Sequence, residues 1–255
     1  KLVYQGYGSK PTTIQIPRLS VIGDSNKTEI AAQASYANYQ VGVKGKTGNV
    51  YDIVNNWDVH AVKIPLNLDF LVNGKTLTLS GEVLKRPHTQ PSFNLNAYSK
   101  SFDLTSLGGS AALATSSNRP PSSVNTSSKA SEKFFFSEGV IPFDVLPKAS
   151  GNLTMHMEEL GIPNHVPLTG LKGTFVFNGN TIALKDFTFN LGKGNAQVEG
   201  VLSGFDGGNP VLSAKGMAKG FTLEQFMNAI NSNAKVQGGD TEVAFNLRSS
   251  GNSLH

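Results

Sequence analysis

The sequence contains no cysteine, which excludes disulfides and thiolate-held metals. Charged residues make up only 16% of the chain, the formal net charge is +4, and no four basic residues stand in a row. A nucleic-acid interface needs a basic stripe with aromatics between, and none is present. The scattered lysines read as solvated surface or as a weak attraction to anionic headgroups. No run approaches the roughly 18 apolar residues that mark a membrane-spanning helix. A signal peptide is not visible, since Lys1-Leu2-Val3-Tyr4 leads straight into a strand-like segment, and the closing RSSGNSLH completes no unit. The chain therefore reads as a segment of something longer.

Catalytic patterns are equally scarce. None of His60, His88, His156, His165 and His255 stands two or four residues from another histidine, so a metal site would have to be gathered from distant strands. No Gly-x-Ser-x-Gly occurs to form a nucleophile elbow. Gly192-Lys193-Gly194 lacks the remaining glycine and the following helix of a phosphate loop, and reads as a tight turn. His156-Met157-Glu158-Glu159 reads as the polar face of a strand.

What the chain does have is a gapless internal echo at an offset of 119 residues. Gly81 falls on Gly200, Pro91 on Pro210, Phe102 on Phe221 and Leu104 on Leu223. Phe93 and Leu95 meet Leu212 and Ala214; Leu68 and Phe70 meet Phe187 and Phe189; Leu77 and Leu79 meet Ala196 and Val198. A repeated unit of this length implies a modular protein with an extended surface.

Period-two alternation dominates, the mark of strands with one apolar face. It runs through Leu66, Leu68 and Phe70, then Leu77 and Leu79 beyond Asn73-Gly74, whose sequence fits a hairpin turn with two positive φ angles. It returns in Phe175 and Phe177, an Asn178-Gly179 turn, Ile182 and Leu184, then Phe187 and Phe189, and again in Val243, Phe245 and Leu247. The opposite positions carry Thr, Asn, Lys, Ser and Gln. A mainly β chain of repeated antiparallel meander units is expected. Short helical turns are expected at Val50–Val54, Phe102–Leu107, Pro142–Leu146 and Phe221–Met227, the last with Thr222 and Gln225 in a capping-box pattern. Residues 108–133 are rich in Ser, Thr, Pro and Asn and read as a flexible linker between units 1–107 and 134–255.

The run from Tyr39 to Gly109 resembles the AsmA family of bacterial envelope proteins. The residues that carry the likeness are Gly48-Asn49-Val50 through Ile53, Pro65 through Phe70, Thr76 through Gly81, and Asp103-Leu104 through Leu107. Phe136 through Leu146, Leu168 through Gly200 and Phe221 through Ile230 resemble the family's C-terminal unit. The likeness covers roughly residues 30–250. It lacks the family's N-terminal inner-membrane helix and the close of its C-terminal region.

The resemblance implies a curved open sheet or groove, shaped like a taco, with few helices. It also implies a non-catalytic role in the Gram-negative periplasm, in a parent protein anchored in the inner membrane. Phospholipid acyl chains would slide along the groove between inner and outer membranes, supporting outer-membrane biogenesis. The residues expected to line it are Leu66, Leu68, Phe70, Leu77, Leu79, Phe93, Leu95, Phe175, Phe177, Phe187, Phe189, Val198, Leu212 and Phe245. No cofactor, metal or nucleic acid is implied, and no protein partner is named. Membrane contact would belong to other parts of the parent. Two other readings stay open on the residues alone: a structural or interaction β-sandwich with a dry core, and an enzyme acting on glycans.

Overall fold

The computed structural model describes residues 2–4, 12–36, 39–103, 148–162, 166–206, 210–222 and 240–251. Its strands are β1 (Leu2–Tyr4), β2 (Thr12–Gly23), β3 (Lys27–Tyr36), β4 (Tyr39–Gly48), β5 (Val62–Val72), β6 (Lys75–Lys85), β7 (Ser92–Ser99), β8 (Phe102–Asp103), β9 (Ala149–Gly161), β10 (Leu168–Gly179), β11 (Thr181–Leu191), β12 (Gly194–Ser203), β13 (Val211–Thr222) and β14 (Asp240–Ser250). One helix, α1 (Val50–Asn56), stands between β4 and β5. Every strand belongs to a single open, curved sheet, in chain order from β1 to β14, with β8 set off the path against β9. No second sheet stacks on it among the described residues, so the two-sheet sandwich is not formed there.

Neighbouring strands are antiparallel except at one place, where β7 and β8 run parallel to β9. A parallel pair cannot be closed by a hairpin. The chain between β8 and β9 contains the proposed 108–133 linker, which lies outside the described residues. The sheet itself passes through this junction without a break, pairing Ser92 with Ser150 through to Ser99 with Met157.

The sequence echo is a structural repeat. In β5–β6–β7, Leu68 pairs with Leu79 and Leu79 with Ala97. In β11–β12–β13, the matching Phe187 pairs with Val198 and Val198 with Gly216. The copies differ at a bulge between Leu184 and Phe187, where Asp186 adopts φ +50. An inserted residue of this kind lets the apolar face pass from even to odd numbers without turning over.

Turns follow the expected chemistry, with one shift. Asn73 (φ 47) and Gly74 (φ 79) make the tight link between β5 and β6, as a type I′ hairpin requires. Asn178 stays in its strand, paired with Thr181. The next turn is therefore Gly179-Asn180, one residue later than Asn178-Gly179, with Gly179 supplying the positive φ (62) at its first position. Gly192 (φ 60) and Lys193 turn β11 into β12.

Of the expected helical turns, Val50–Val54 is realised as α1. Asn49 caps it, its side-chain oxygen accepting from the backbone N–H groups of Tyr51 (2.9 Å) and Asp52 (3.3 Å). Phe102–Asp103 and Phe221–Thr222 are strand instead. Phe102 is drawn into pairing with Leu160, and Thr222 pairs with Asp240. The remaining residues of those turns, and all of Pro142–Leu146, lie outside the described residues.

Among the described residues few apolar side chains are buried: Val62, Ile64, Ala97, Ala149, Leu171, Ala196, Phe205 and Phe221. Order therefore rests on the backbone ladder and cross-strand pairs. Close approach is essential at Gly151, at the parallel junction. A Cβ there would lie 2.0 Å from the carbonyl oxygen of Phe93, on a backbone with φ +145. Gly151→Ala is expected to lower stability by about 3 kcal/mol or more. Gly74→Ala has a positive φ but no atom within 4 Å of the new methyl and should cost only about 1 kcal/mol. Urea unfolding midpoints measure both; equal losses would contradict this account of the junction.

Candidate functional site

Pairing register assigns each strand residue to a face, because directly opposed residues share one side of a sheet. One row across the molecule reads Thr47, Leu66, Gly81, Leu95, Leu153, Phe175, Leu184, Gly200, Ala214 and Leu247. On the same face a second row passes through Ile30, Gly45, Leu68, Leu79, Ala97, Met155 and Gly173, and resumes as Phe187, Val198, Gly216 and Phe245. A third comprises Ile64, Val83, Phe93, Gly151, Phe177, Ile182, Leu202 and Leu212. Beyond the second row lie Val43, Phe70 and Leu77, then Phe189, Ala196, Ala218 and Val243. Every residue named from the sequence as a lining candidate sits on this one face.

The face is apolar and only partly covered. Near its ends the side chains stand open, with Leu19 70% and Leu247 61% exposed. Towards the middle, Leu171 is 1% exposed. Several glycines on this face are overlaid by a phenylalanine from the adjacent strand. A Cβ at Gly173 would meet Phe187 at 2.7 Å, at Gly194 the Phe221 ring at 2.7 Å, and at Gly216 the Phe245 ring at 2.6 Å. Gly151 separates Phe93 from Phe177, whose rings meet edge to face with centroids 5.1 Å apart. The missing side chains let the rings lie across neighbouring strands and smooth the surface.

The opposite face is polar. Lys63 reaches Glu82 at 2.6 Å, Lys215 reaches Glu199 at 3.0 Å, and Lys219 reaches Glu242 at 2.9 Å. Asp69 accepts from the Thr78 hydroxyl at 2.7 Å. Tyr98 donates to Glu158 at 2.6 Å, and that carboxylate pushes the phenol pKa up. Exposed pairs like these add little stability each, but they keep this side wet.

Some lining residues escaped the sequence reading. Leu153, Met155 and Met157 alternate on β9 and face the apolar side, while His156 stands on the polar face against Tyr98. The alternation was the available signal, masked by the polar residues around it. Ile30, Val43 and Gly45 extend the face across β3 and β4. Phe221 joins it because Gly220, at φ +69, forms a bulge.

One end of the face is closed by α1 and the turn after it. The Thr28 hydroxyl accepts from the Val50 N–H at 3.0 Å. Lys85, on the apolar side at the end of β6, pairs with Asp58, donates to the Arg86 carbonyl at 3.0 Å and lies 5.5 Å from the Trp57 ring centre. Among the described residues no group of His, Cys, Asp and Glu could hold a metal ion, and no helix is long and apolar enough to cross a membrane. His60 and His88 are exposed; His165 and His255 lie outside the described residues.

A family model, the AsmA family, matches residues 53–255. No curated protein and no solved structure matches the chain.

The closure at α1 makes a pH prediction. The hydrogen bond from Lys85 is the main cause holding the Asp58 carboxyl below its ordinary value; burial opposes it and the His88 N–H assists. A carboxyl lowered by folding stabilises above its unfolded pKa and loses that contribution as pH falls through its folded pKa. Trp57 is the only tryptophan, so its fluorescence reports the contact. The emission should change on acidification below the ordinary value of 3.8. Asp58→Asn should give the acid-type spectrum already at neutral pH. Superimposable titrations of the two proteins would refute the latch.

Proposed function

This chain belongs to the AsmA family, and on that premise we propose that its apolar face is a track for phospholipid acyl chains. The protein carries lipid and performs no chemistry on it. Its setting is the periplasm, where it supports movement of phospholipid between inner and outer membranes. The parent protein is held in the inner membrane by a part outside this chain. The observation that supports this reading most directly is the continuity of apolar rows across a sheet that, among the described residues, no second sheet covers.

Magnitudes favour such a track. Shielding a methylene from water is worth about 0.8 kcal/mol, so a sixteen-carbon tail wholly sheltered would gain on the order of 10 kcal/mol. At about 4.8 Å per strand, the path from β1 to β14 is roughly 58 Å along the curve. A leaflet's hydrocarbon is about half of a 30 Å bilayer core, so several tails fit one after another. Rows that run across the strands offer a tail equivalent contacts at each step, which favours sliding over capture at a single point.

Phe189→Asp tests the reading. Phe189 is half-buried on the apolar face opposite Ala196. On an open track the carboxylate stays hydrated, so the sheet should survive and bound phospholipid should be lost. In a closed core the unpaired charge would cost several kcal/mol and unfold the unit. Thermal melting and lipid extraction on the same sample separate the cases. A stable, lipid-free variant supports the track; unchanged lipid with an unchanged melting point would falsify any role for this face.

A further inference from the structure

The apolar rows stop at a polar margin opposite the end closed by α1. On β6 the side chains of the apolar face run Val83, Gly81, Leu79, Leu77 and then Lys75, which pairs with Val72 on the same side. By the same alternation on β9, Glu159 follows Leu153, Met155 and Met157. Between these strands the chain leaves β7 after Ser99 and places Ser101 between the two charges. Lys75 Nζ donates to Ser101 Oγ at 3.1 Å, and Ser101 Oγ donates to Glu159 Oε1 at 3.3 Å. A cation, a hydroxyl and a carboxylate thus stand side by side, one step beyond the last apolar residues. They border a cavity of about 580 Å³ that opens at this margin and is also lined by Lys100 and by Thr76, Thr78, Tyr98 and Glu158 from the polar face.

We propose that this margin is a headgroup site for a zwitterionic lipid bearing a primary ammonium, of the phosphoethanolamine type. The inference rests on the track reading above. With a tail lying along Leu77 and Met157, the headgroup emerges at Lys75 and Glu159. Lys75 donates to a phosphate oxygen and Glu159 accepts from the ammonium, each a charge-assisted hydrogen bond. Ser101 bridges the two charges and can turn its hydroxyl to either group. The cavity's lysines and glutamates balance in charge. A phosphoglycerol lipid would bring a net negative charge to a cavity whose lysines are already matched by Glu158 and Glu159, and would bring no ammonium for Glu159. A phosphocholine group has no N–H to give a carboxylate and is recognised by open aromatic faces; the nearby Tyr98 is engaged with His156 and Glu158.

The test offers the purified chain vesicles of equal parts phosphoethanolamine, phosphoglycerol and phosphocholine lipids with identical palmitoyl and oleoyl tails. Native mass spectrometry then reads both the total lipid bound and its composition. Loss of one charge-assisted hydrogen bond is worth roughly tenfold in affinity, so the wild-type chain should enrich the phosphoethanolamine lipid about tenfold over phosphocholine. Glu159→Gln should bring the ratio close to that of the vesicle, whereas Lys75→Ala removes a phosphate contact that all three lipids share and should weaken binding of each alike. Lipid bound in vesicle proportions by the wild type overturns the headgroup site and leaves the track standing. So does enrichment that survives Glu159→Gln. No bound lipid of any kind overturns the site and the track together.

Discussion

The backbone ladder has to keep a single register across the whole sheet, because a slip of one residue anywhere turns every later apolar side chain to the wet face. Among the described residues no second sheet lies above it, so few contacts outside the ladder could correct such an error. Its irregularities are arranged accordingly. The Asp186 bulge sits where the apolar positions of β11 pass from even to odd, and the Gly220 bulge brings Phe221 onto the same side as Gly194. At the junction of β7 with β9 the strand direction reverses its rule, yet Phe93, Leu95 and Ala97 still meet Gly151, Leu153 and Met155 on the apolar side.

The open face is held in shape by the partnership of glycine with phenylalanine. Gly173, Gly194 and Gly216 give up side chains so that rings from neighbouring strands can lie over them, and Gly151 lets the backbone of Phe93 come close. The rings fill the space that those glycines leave on the apolar side. This also links structure to the proposed role, because a surface of flat rings and short aliphatic groups offers a lipid tail few ridges to cross. Polar boundaries mark both margins on β6, where Lys85 is engaged by Asp58 and Trp57 and Lys75 by Ser101.

Much of this was legible in the chain. Alternation located the strands and the face of Leu68, Phe70, Phe187 and Phe189, since a period of two needs no tertiary information. The 119-residue echo anticipated the shared pairing of β5–β7 and β11–β13. What was not legible depended on partners distant in sequence. Phe102 reads as the start of a helical turn until β9 offers it a strand to pair with. Phe221 reads the same way until a bulge and β14 draw it into the sheet. Met155 and Met157 look like part of a polar strand until the parallel pairing with β7 shows which side they share. The open sheet was anticipated through the family resemblance and not through alternation, because a local pattern of alternation is the same whether or not a second sheet lies above it.

The central claim is that lipid tails occupy one face of this sheet and not the other. Site-specific photo-crosslinking tests it most directly, with a photoreactive amino acid placed in turn at neighbouring positions of opposite facing. Leu79 and Phe175 lie on the apolar face, and Thr78 and Thr174 on the polar face. The chain would be irradiated in the presence of phospholipid vesicles and the adducts weighed. The account predicts phospholipid adducts at Leu79 and Phe175 and none at Thr78 and Thr174. Adducts of equal yield on both faces, or adducts confined to the threonine positions, would contradict it.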